Sequence, residues 1–188
     1  MAHPVKDGAG SATSVEAQAS SQAASLIAKG SKNPAVSVAG DAALGIQTPA
    51  FTNILAKVPS FDGVAMSADG STFTIVDQGK FMKAVENAYN DAGQKLNPLT
   101  KQNIQDYISS QTSFPVQAGV PGLHAEVQSL NSVYNSVPDP TKINLGDINI
   151  ATNKIGKTSS AGQQGGSFQA CKHCGGIIPP EVNVTTGR

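Results

Sequence analysis

The chain has 188 residues, which is long enough for one domain with a hydrophobic core and too short to favour two. Its 13 basic and 13 acidic residues balance, which excludes a global electrostatic attraction to nucleic acid or to an anionic membrane. Neither an apolar run of membrane-spanning length nor a basic region followed by an apolar segment occurs, so we expect no membrane span and no signal peptide in this chain.

The beginning of the chain divides into a polar leader and a helix. Residues 1–14 are small, polar and turn-forming, and they predict a flexible linker or a cloning remnant ahead of a single domain over residues 15–188. The alanine-rich segment 14–29 contains good helix formers and ends at Gly30, a common stop residue. It therefore predicts the first helix of the domain.

The front third of the chain also supplies about three strands. Residues 34–40, with the sequence PAVSVAG, predict a short strand. Residues 63–76 place Asp69 and Gly70 between two alternating runs, which is the favoured chemistry of a tight hairpin turn.

The middle of the chain predicts three amphipathic helices. Residues 80–93 carry apolar side chains at helical spacing, namely Phe81, Val85, Ala88, Tyr89 and Ala92. A second helix is predicted over 99–110, with Thr100 as its cap. A third follows the turn at Pro121, has apolar residues in steps of three and four, and ends before Pro138.

The final third alternates helix, strand, helix and strand. A strand is predicted over 146–155, followed by a loop over 156–167, a helix opening near Cys171 and a last strand in 181–188. This order favours two parallel strands joined by a right-handed crossover, with helices packed on the sheet.

Both cysteines of the chain lie in the sequence CKHC, and three interpretations of them compete. A disulfide between Cys171 and Cys174 would close a very small loop and restrain little of the unfolded chain. A redox pair at a helix start is a second interpretation, because the helix dipole favours a thiolate there. A metal site is the third, but two thiolates leave zinc two ligands short of a tetrahedron.

A histidine and a carboxylate earlier in the chain favour the metal. His124 and Glu126 form an H-x-E element 47 residues before Cys171, and both elements lie at predicted helix starts with a strand between them. An H-x-E element followed by C-x-x-C is typical of zinc-dependent base deaminases. His124, Cys171 and Cys174 would bind zinc and leave a fourth position for water, whose pKa the metal lowers toward about 7. Glu126 can then move the proton from that water to the substrate.

These residues resemble the cytidine deaminase-like superfamily, and within it the deaminase domains of bacterial polymorphic toxins, especially the YwqJ-like group. The likeness is carried by HAEVQSLN at 124–131, FQACKHCGGII at 168–178 and the closing VNVTTGR. It implies a three-layer α/β/α sandwich with a mixed sheet of about five strands and with zinc between two helix N-termini.

The resemblance also implies a role for each site residue. His124, Cys171 and Cys174 take the zinc-ligand positions and Glu126 the catalytic position. The backbone N–H of Ala125 would face the base carbonyl, and the backbone carbonyl of Gln169 would face the exocyclic amine. The chain departs from the commoner P-C-x-x-C pattern because Ala170 precedes the first cysteine. We expect His173, between the ligands, to be solvated.

The zinc chemistry does not distinguish a nucleic-acid substrate from a free nucleoside. A polymer would need an aromatic or apolar wall for the base and cations for the flanking phosphates. Phe168 is the first candidate wall, and the other aromatic and cationic candidates are Phe114, Tyr134, Lys154, Lys157, Lys172 and Arg188. The toxin resemblance favours cytosine in nucleic acid, and we expect deamination of cytosine in single-stranded DNA.

The alternatives are duplex DNA, RNA, a free nucleoside or nucleotide, and a non-enzymatic zinc-stabilised binding module. The resemblance further implies that the domain is delivered as part of a secreted effector, acts in the target-cell cytoplasm and is neutralised by an immunity protein. The sequence leaves the oligomeric state undetermined.

Overall fold

The computed structural model describes residues 8–157 and 162–188. Five α-helices occur in these ranges, α1 Ala12–Ala28, α2 Gln78–Asp91, α3 Pro98–Ser110, α4 Ala125–Asn135 and α5 Lys172–Ile177. Eight strands accompany them, β1 Ala35–Asp41, β2 Ile46–Gln47, β3 Phe51–Thr52, β4 Val64–Met66, β5 Thr72–Ile75, β6 Phe114–Pro115, β7 Ile148–Lys154 and β8 Asn183–Val184. The part of the predicted loop at 158–161 lies outside the described residues.

A five-stranded mixed sheet forms the centre of the fold. Its order is β2-β1-β7-β8, and β3 pairs with β1 beside β2. The long strands β1 and β7 are antiparallel, with Ala35 opposite Lys154 and Asp41 opposite Ile148. Strand β8 pairs with β7 in parallel, and α5 lies in the connection between them. The predicted parallel pair at the end of the chain is therefore confirmed.

Helices cover both faces of this sheet, which explains why every residue of β1 and β7 is buried. Helix α1 packs small side chains four residues apart, Val15, Ala19 and Ala23, against Val36, Val38 and Ala151 of the sheet. On the opposite face α4 packs on β1, and Ser37 lies 3.2 Å from Ser129, hydroxyl to hydroxyl. The predicted three-layer α/β/α class with about five strands is thus confirmed.

A smaller sheet and two helices complete the core beyond α4. Strands β4 and β5 form the predicted hairpin, and β6 adds a third antiparallel strand. Phe73 of β5 and Phe114 of β6 stack at 5.3 Å between ring centroids. Helix α2 buries Phe81, Val85 and Tyr89 of the face that its spacing predicted, whereas Ala92 is exposed and follows the helix as its C-cap. Helix α3 packs against both α4 and α5. Helix α3 is therefore the scaffold shared by the two later helices.

The extent of the N-terminal linker and the cap of α3 differ from the sequence prediction. Residues 8–14 are part of the domain, not of a linker, because Ser11 caps α1 and Gly10 packs against the end of the sheet at a φ of 84°. A side chain at Gly10 would meet the Ile46 carbonyl, which is why only glycine fits there. Residues 1–7 lie outside the described ranges. Helix α3 is capped by Asn97, not Thr100, because Pro98 takes its first position.

None of the helices in the described ranges is long and apolar enough to cross a membrane.

Candidate metal and active site

The three predicted zinc ligands meet at the N-terminal ends of α4 and α5. His124 is the N-cap residue of α4, Cys171 is the N-cap residue of α5, and Cys174 lies one turn further along α5. Neither N-cap side chain bonds to its own helix. Both remain directed at the space between the helices, as the sequence predicted.

The donor atoms of these three residues lie close together. His124 Nδ1 is 3.1 Å from the sulfur of Cys171 and 3.3 Å from that of Cys174. The two sulfurs are 3.6 Å apart. Within residues 8–157 and 162–188, this is the one group of three or more histidine, cysteine or acidic side chains that is close enough to hold a metal ion.

This donor set fits zinc. With ordinary zinc–sulfur and zinc–nitrogen bonds, a tetrahedral site has N–S edges of about 3.6 Å and an S–S edge of about 3.8 Å, and the observed separations approach those values. The sulfurs are also too far apart for a disulfide, whose S–S bond is about 2.05 Å. A redox pair needs no imidazole placed equally near both sulfurs, so the arrangement favours the metal interpretation.

Electrostatics at the cysteines also suit a metal ligand. A hydrogen bond from Cys174, helped by His124, lowers the pKa of Cys171 to about 3 despite burial. The hydrogen bond that Cys174 makes with Cys171, together with burial, raises the pKa of Cys174 well above its ordinary value. Burial opposes the charged form of His124, but the hydrogen bond and charge of Cys171 outweigh it and raise the pKa of His124. These effects favour the ionised form of Cys171, which is the form of cysteine that binds a metal.

The backbone around residue 118 orients the His124 ring. His124 forms a backbone hydrogen bond with Ala118, and its Nε2 lies where a Cβ on Gly119 would be only 3.1 Å away. The ring therefore keeps Nδ1 toward the two sulfurs and Nε2 toward the 118–119 segment. Orientation of this kind, through the second ring nitrogen, is usual for histidine ligands of metals.

Glu126 lies beside the cysteines and is almost completely buried. Its Oε2 is 3.5 Å from the sulfur of Cys174, and 3% of the residue is exposed. Burial raises the pKa of Glu126, an effect that nearby His124 partly offsets. Raising the pKa of a carboxyl group above its ordinary value moves it toward the range that suits general acid–base catalysis.

A cavity of about 350 Å³ opens onto these residues. His124, Glu126 and Cys171 form one part of its wall, and Phe168 forms another, where the sequence predicted a substrate-binding side chain. We call this space the catalytic cavity. A larger cavity of about 580 Å³ lies on the other side of the 53–56 segment, but it contains none of the metal-ligand side chains. The catalytic cavity is therefore the candidate substrate site.

Phe168 lines the catalytic cavity, but neither of the two residues predicted to contact substrate through the backbone does so. The N–H of Ala125 donates to Asn53 Oδ1 at 2.8 Å, so a base carbonyl would have to replace Asn53 there. Gln169 is exposed and does not line the catalytic cavity, and its side-chain amide donates to the backbone carbonyl of Arg188. Both roles stay predictions.

Several side chains that the sequence placed in solvent or against substrate belong to the core. The expectation that His173 is solvated is wrong, because the residue is fully buried and its Nδ1 is 2.9 Å from the Tyr107 hydroxyl. Phe114 and Tyr134 are buried core residues and not stacking walls. The helical turn from Lys172 directs His173 toward α3, since only the N-cap position and the position three residues on face the site.

Two of the four cationic side chains that were candidates for contacting substrate phosphates make hydrogen bonds within the fold instead. Lys154 is buried in β7 and its ammonium group donates to the Gly162 carbonyl. The Arg188 guanidinium donates to backbone carbonyls, including that of Ile178 directly after α5. Lys157 and Lys172 are exposed, so they remain candidates for contacting substrate phosphates.

Asn53 is a site residue that the sequence did not indicate. It follows β3, lines the catalytic cavity and caps the first N–H of α4. No motif marks it, because the pairing of β3 with β1 is what brings it to α4.

Comparison with known proteins agrees with this geometry. The profile of a family described as YwqJ-like deaminase matches residues 56–183. A toxin subunit of Yersinia entomophaga, YenC2, is 32% identical over 120 residues, which make up 62% of this chain and 12% of that protein. The chain thus spans only a small part of the length of this relative. No solved structure matches.

Proposed function

Because the chain belongs to the YwqJ-like deaminase family, we propose that it is a zinc-dependent deaminase that converts cytosine to uracil in single-stranded DNA. The observation that carries the proposal is the convergence of one imidazole, two sulfurs and the buried Glu126 carboxyl group on the wall of the catalytic cavity. Zinc, cytosine and single-stranded DNA are each part of the proposal.

The chemistry divides between the metal and the protein. When bound by His124, Cys171 and Cys174, zinc supplies Lewis-acid activation of water near neutral pH. Glu126 takes up a proton, delivers it to the ring nitrogen of the base, and then helps protonate the leaving amine. Its burial favours the protonated form during this transfer, and its placement beside Cys174 keeps it next to the ligand cluster without adding a fourth ligand.

The catalytic cavity supports a nucleobase as substrate. Its volume of about 350 Å³ suits a single base, and the Phe168 ring offers a surface on which the base can stack. A base in a DNA strand must leave its stack to enter such a cavity, which is easiest for a single strand because no pairing is broken. This argument favours single-stranded over duplex DNA.

The biological setting is part of the same proposal. The similarity to a protein named a toxin subunit supports a role as the toxin domain of a secreted bacterial effector. Such a domain would act in the target-cell cytoplasm, and an immunity protein would protect the producing cell.

The proposal is tested with zinc-loaded protein and labelled oligonucleotides. We expect one zinc per chain and conversion of cytosine to uracil in single-stranded DNA, with lower rates on duplex DNA, RNA and free cytidine. Glu126→Gln should retain zinc and lower the rate by roughly 100-fold to 10,000-fold. Full activity of Glu126→Gln would refute the mechanism, zinc binding without turnover on any substrate would indicate a binding module, and preferred turnover of cytidine would indicate a nucleoside deaminase.

A further inference from the structure

A third cavity, lined by two lysines, lies beside the catalytic cavity. It has a volume of about 450 Å³, and its wall includes Lys32, Lys157, the hydroxyl-bearing Ser31 and the amide-bearing Gln164. No carboxylate is among the described residues that line it. We call it the basic cavity. Its lining offers positive charge and hydrogen-bond donors, which are the groups that bind phosphate.

Pro34 connects the basic cavity to the catalytic cavity. Pro34 lines the catalytic cavity, while its carbonyl accepts hydrogen bonds from the N–H groups of Ile155 and Gly156 at 2.9 and 3.1 Å. Ile155 and Gly156 line the basic cavity. The walls of the two cavities are thus joined by direct hydrogen bonds through Pro34.

The central sheet holds the two lysines in place relative to each other. Lys32 precedes β1 and Lys157 follows β7, and these strands pair with Ala35 opposite Lys154. Both lysines are exposed, and neither makes an ion pair within the described parts of the chain. Their charges are therefore available to an anion, and the rigid strand pair keeps them on one side of the catalytic cavity.

We propose that the basic cavity binds a backbone phosphate of single-stranded DNA next to the target base. This inference rests on the proposed function and adds the feature that selects a strand over a free base or nucleoside. A nucleobase in the catalytic cavity leaves its flanking phosphodiester groups outside, and the cavity across Pro34 is an adjacent place with net positive charge. A cytidine molecule has no phosphate to reach it.

The test compares two double variants that lose the same charge. One is Lys32→Ala with Lys157→Ala. The control is Lys83→Ala with Lys142→Ala, two exposed lysines that line neither cavity. Both pairs are placed in zinc-loaded Glu126→Gln protein, and the affinity for a fluorescent single-stranded DNA oligonucleotide is measured by anisotropy between 50 and about 300 mM salt. The first pair should weaken binding about tenfold and, because one phosphate contact is lost, make the salt dependence of log K shallower by about 0.7, whereas the control should change neither.

Turnover with Glu126 intact separates this inference from the proposed function. The lysine pair should lower kcat/KM for the oligonucleotide about tenfold and leave that for free cytidine unchanged. Equal oligonucleotide binding by the lysine pair and its control would overturn the phosphate site while the deaminase assignment stands. If no substrate turns over, the deaminase assignment fails, and the anisotropy result still decides whether the basic cavity binds DNA. An effect confined to an RNA oligonucleotide of the same sequence would overturn DNA as the occupant.

Discussion

Helices α4 and α5 contribute to the same site but are held in very different ways. Nine of the eleven residues of α4 are buried, and polar side chains fasten it to its surroundings. Gln128, for example, donates to the Thr52 and Leu123 carbonyls, and Asn131 donates to the Lys95 carbonyl. Helix α5 has six residues, including two consecutive glycines, and buries three side chains.

This contrast indicates that the two halves of the site have different sources of stability. Helix α4 lies between the sheet and α3, so His124 and Glu126 are positioned by packing. Helix α5 has poor intrinsic stability because glycine costs roughly 1 kcal/mol per residue in a helix. Its stability depends on contacts such as the hydrogen bond between His173 and Tyr107. With a metal present, it would also depend on ligation through Cys171 and Cys174.

Removing the metal is expected to have the largest effect of the changes considered, and that effect should fall mainly on α5. Chelation of zinc should abolish deamination and increase amide hydrogen exchange in α5 by about 100-fold or more, with much smaller changes in α4. Hydrogen-exchange mass spectrometry with and without chelator measures both helices in one sample. Equal loss of protection in α4 and α5 would contradict the difference between them.

A pair of glycine substitutions tests how tightly α5 is packed. A Cβ at Gly176 would overlap the Tyr107 ring, whereas one at Gly175 would meet nothing within 4 Å. Gly176→Ala should therefore lower the free energy of unfolding by roughly 2–3 kcal/mol. Gly175→Ala should leave it unchanged or raise it slightly, because alanine favours the helix. Urea unfolding of both variants makes the comparison, and matching losses would show that the Tyr107 contact does not decide the outcome.

The buried carboxyl group of α4 should destabilise the metal-free protein at neutral pH. Burial raises the pKa of Glu126 above its ordinary 4.5, so the folded state holds a proton that the unfolded state has released. Stability then falls as pH rises above about 4.5 and toward the folded-state pKa. Glu126→Gln should add roughly 1–3 kcal/mol at pH 7 and almost nothing at pH 4.

Urea unfolding of the chelated wild type and variant at both pH values gives that difference. A stabilisation by Glu126→Gln that is the same at pH 4 and pH 7 would show that the charge of Glu126 is not its cause.

The smallest expected effect is at the capped end of α4. Asn53→Ala removes the acceptor for the Ala125 N–H and should lower the free energy of unfolding by about 1 kcal/mol. Zinc content should stay at one per chain, because packing continues to hold α4. Asn53→Asp, which keeps an acceptor oxygen, serves as the control. Loss of zinc in Asn53→Ala alone would show that this cap, and not packing, positions His124.

The group of side chains that could hold a metal was predictable from the sequence, and its surroundings were not. His124, Glu126, Cys171 and Cys174 occur in two short motifs, and the known order of H-x-E followed by C-x-x-C in zinc-dependent deaminases was what paired them across 47 residues. The alternation of strands and helices likewise predicted the parallel pair, and the family resemblance implied the three-layer fold. The short strands β2 and β3 were missed because two residues carry no periodic pattern.

Long-range packing decided the rest. The sequence by itself indicated which donor atoms and which carboxyl group form the candidate centre, because these residue types occur in two short motifs of a known pattern. Only the tertiary structure decided that His173 and Lys154 are buried, that Asn53 caps α4 and that Lys32 and Lys157 share a cavity. These facts follow from strand pairing and helix packing between residues far apart in the chain, for which a local pattern holds no information.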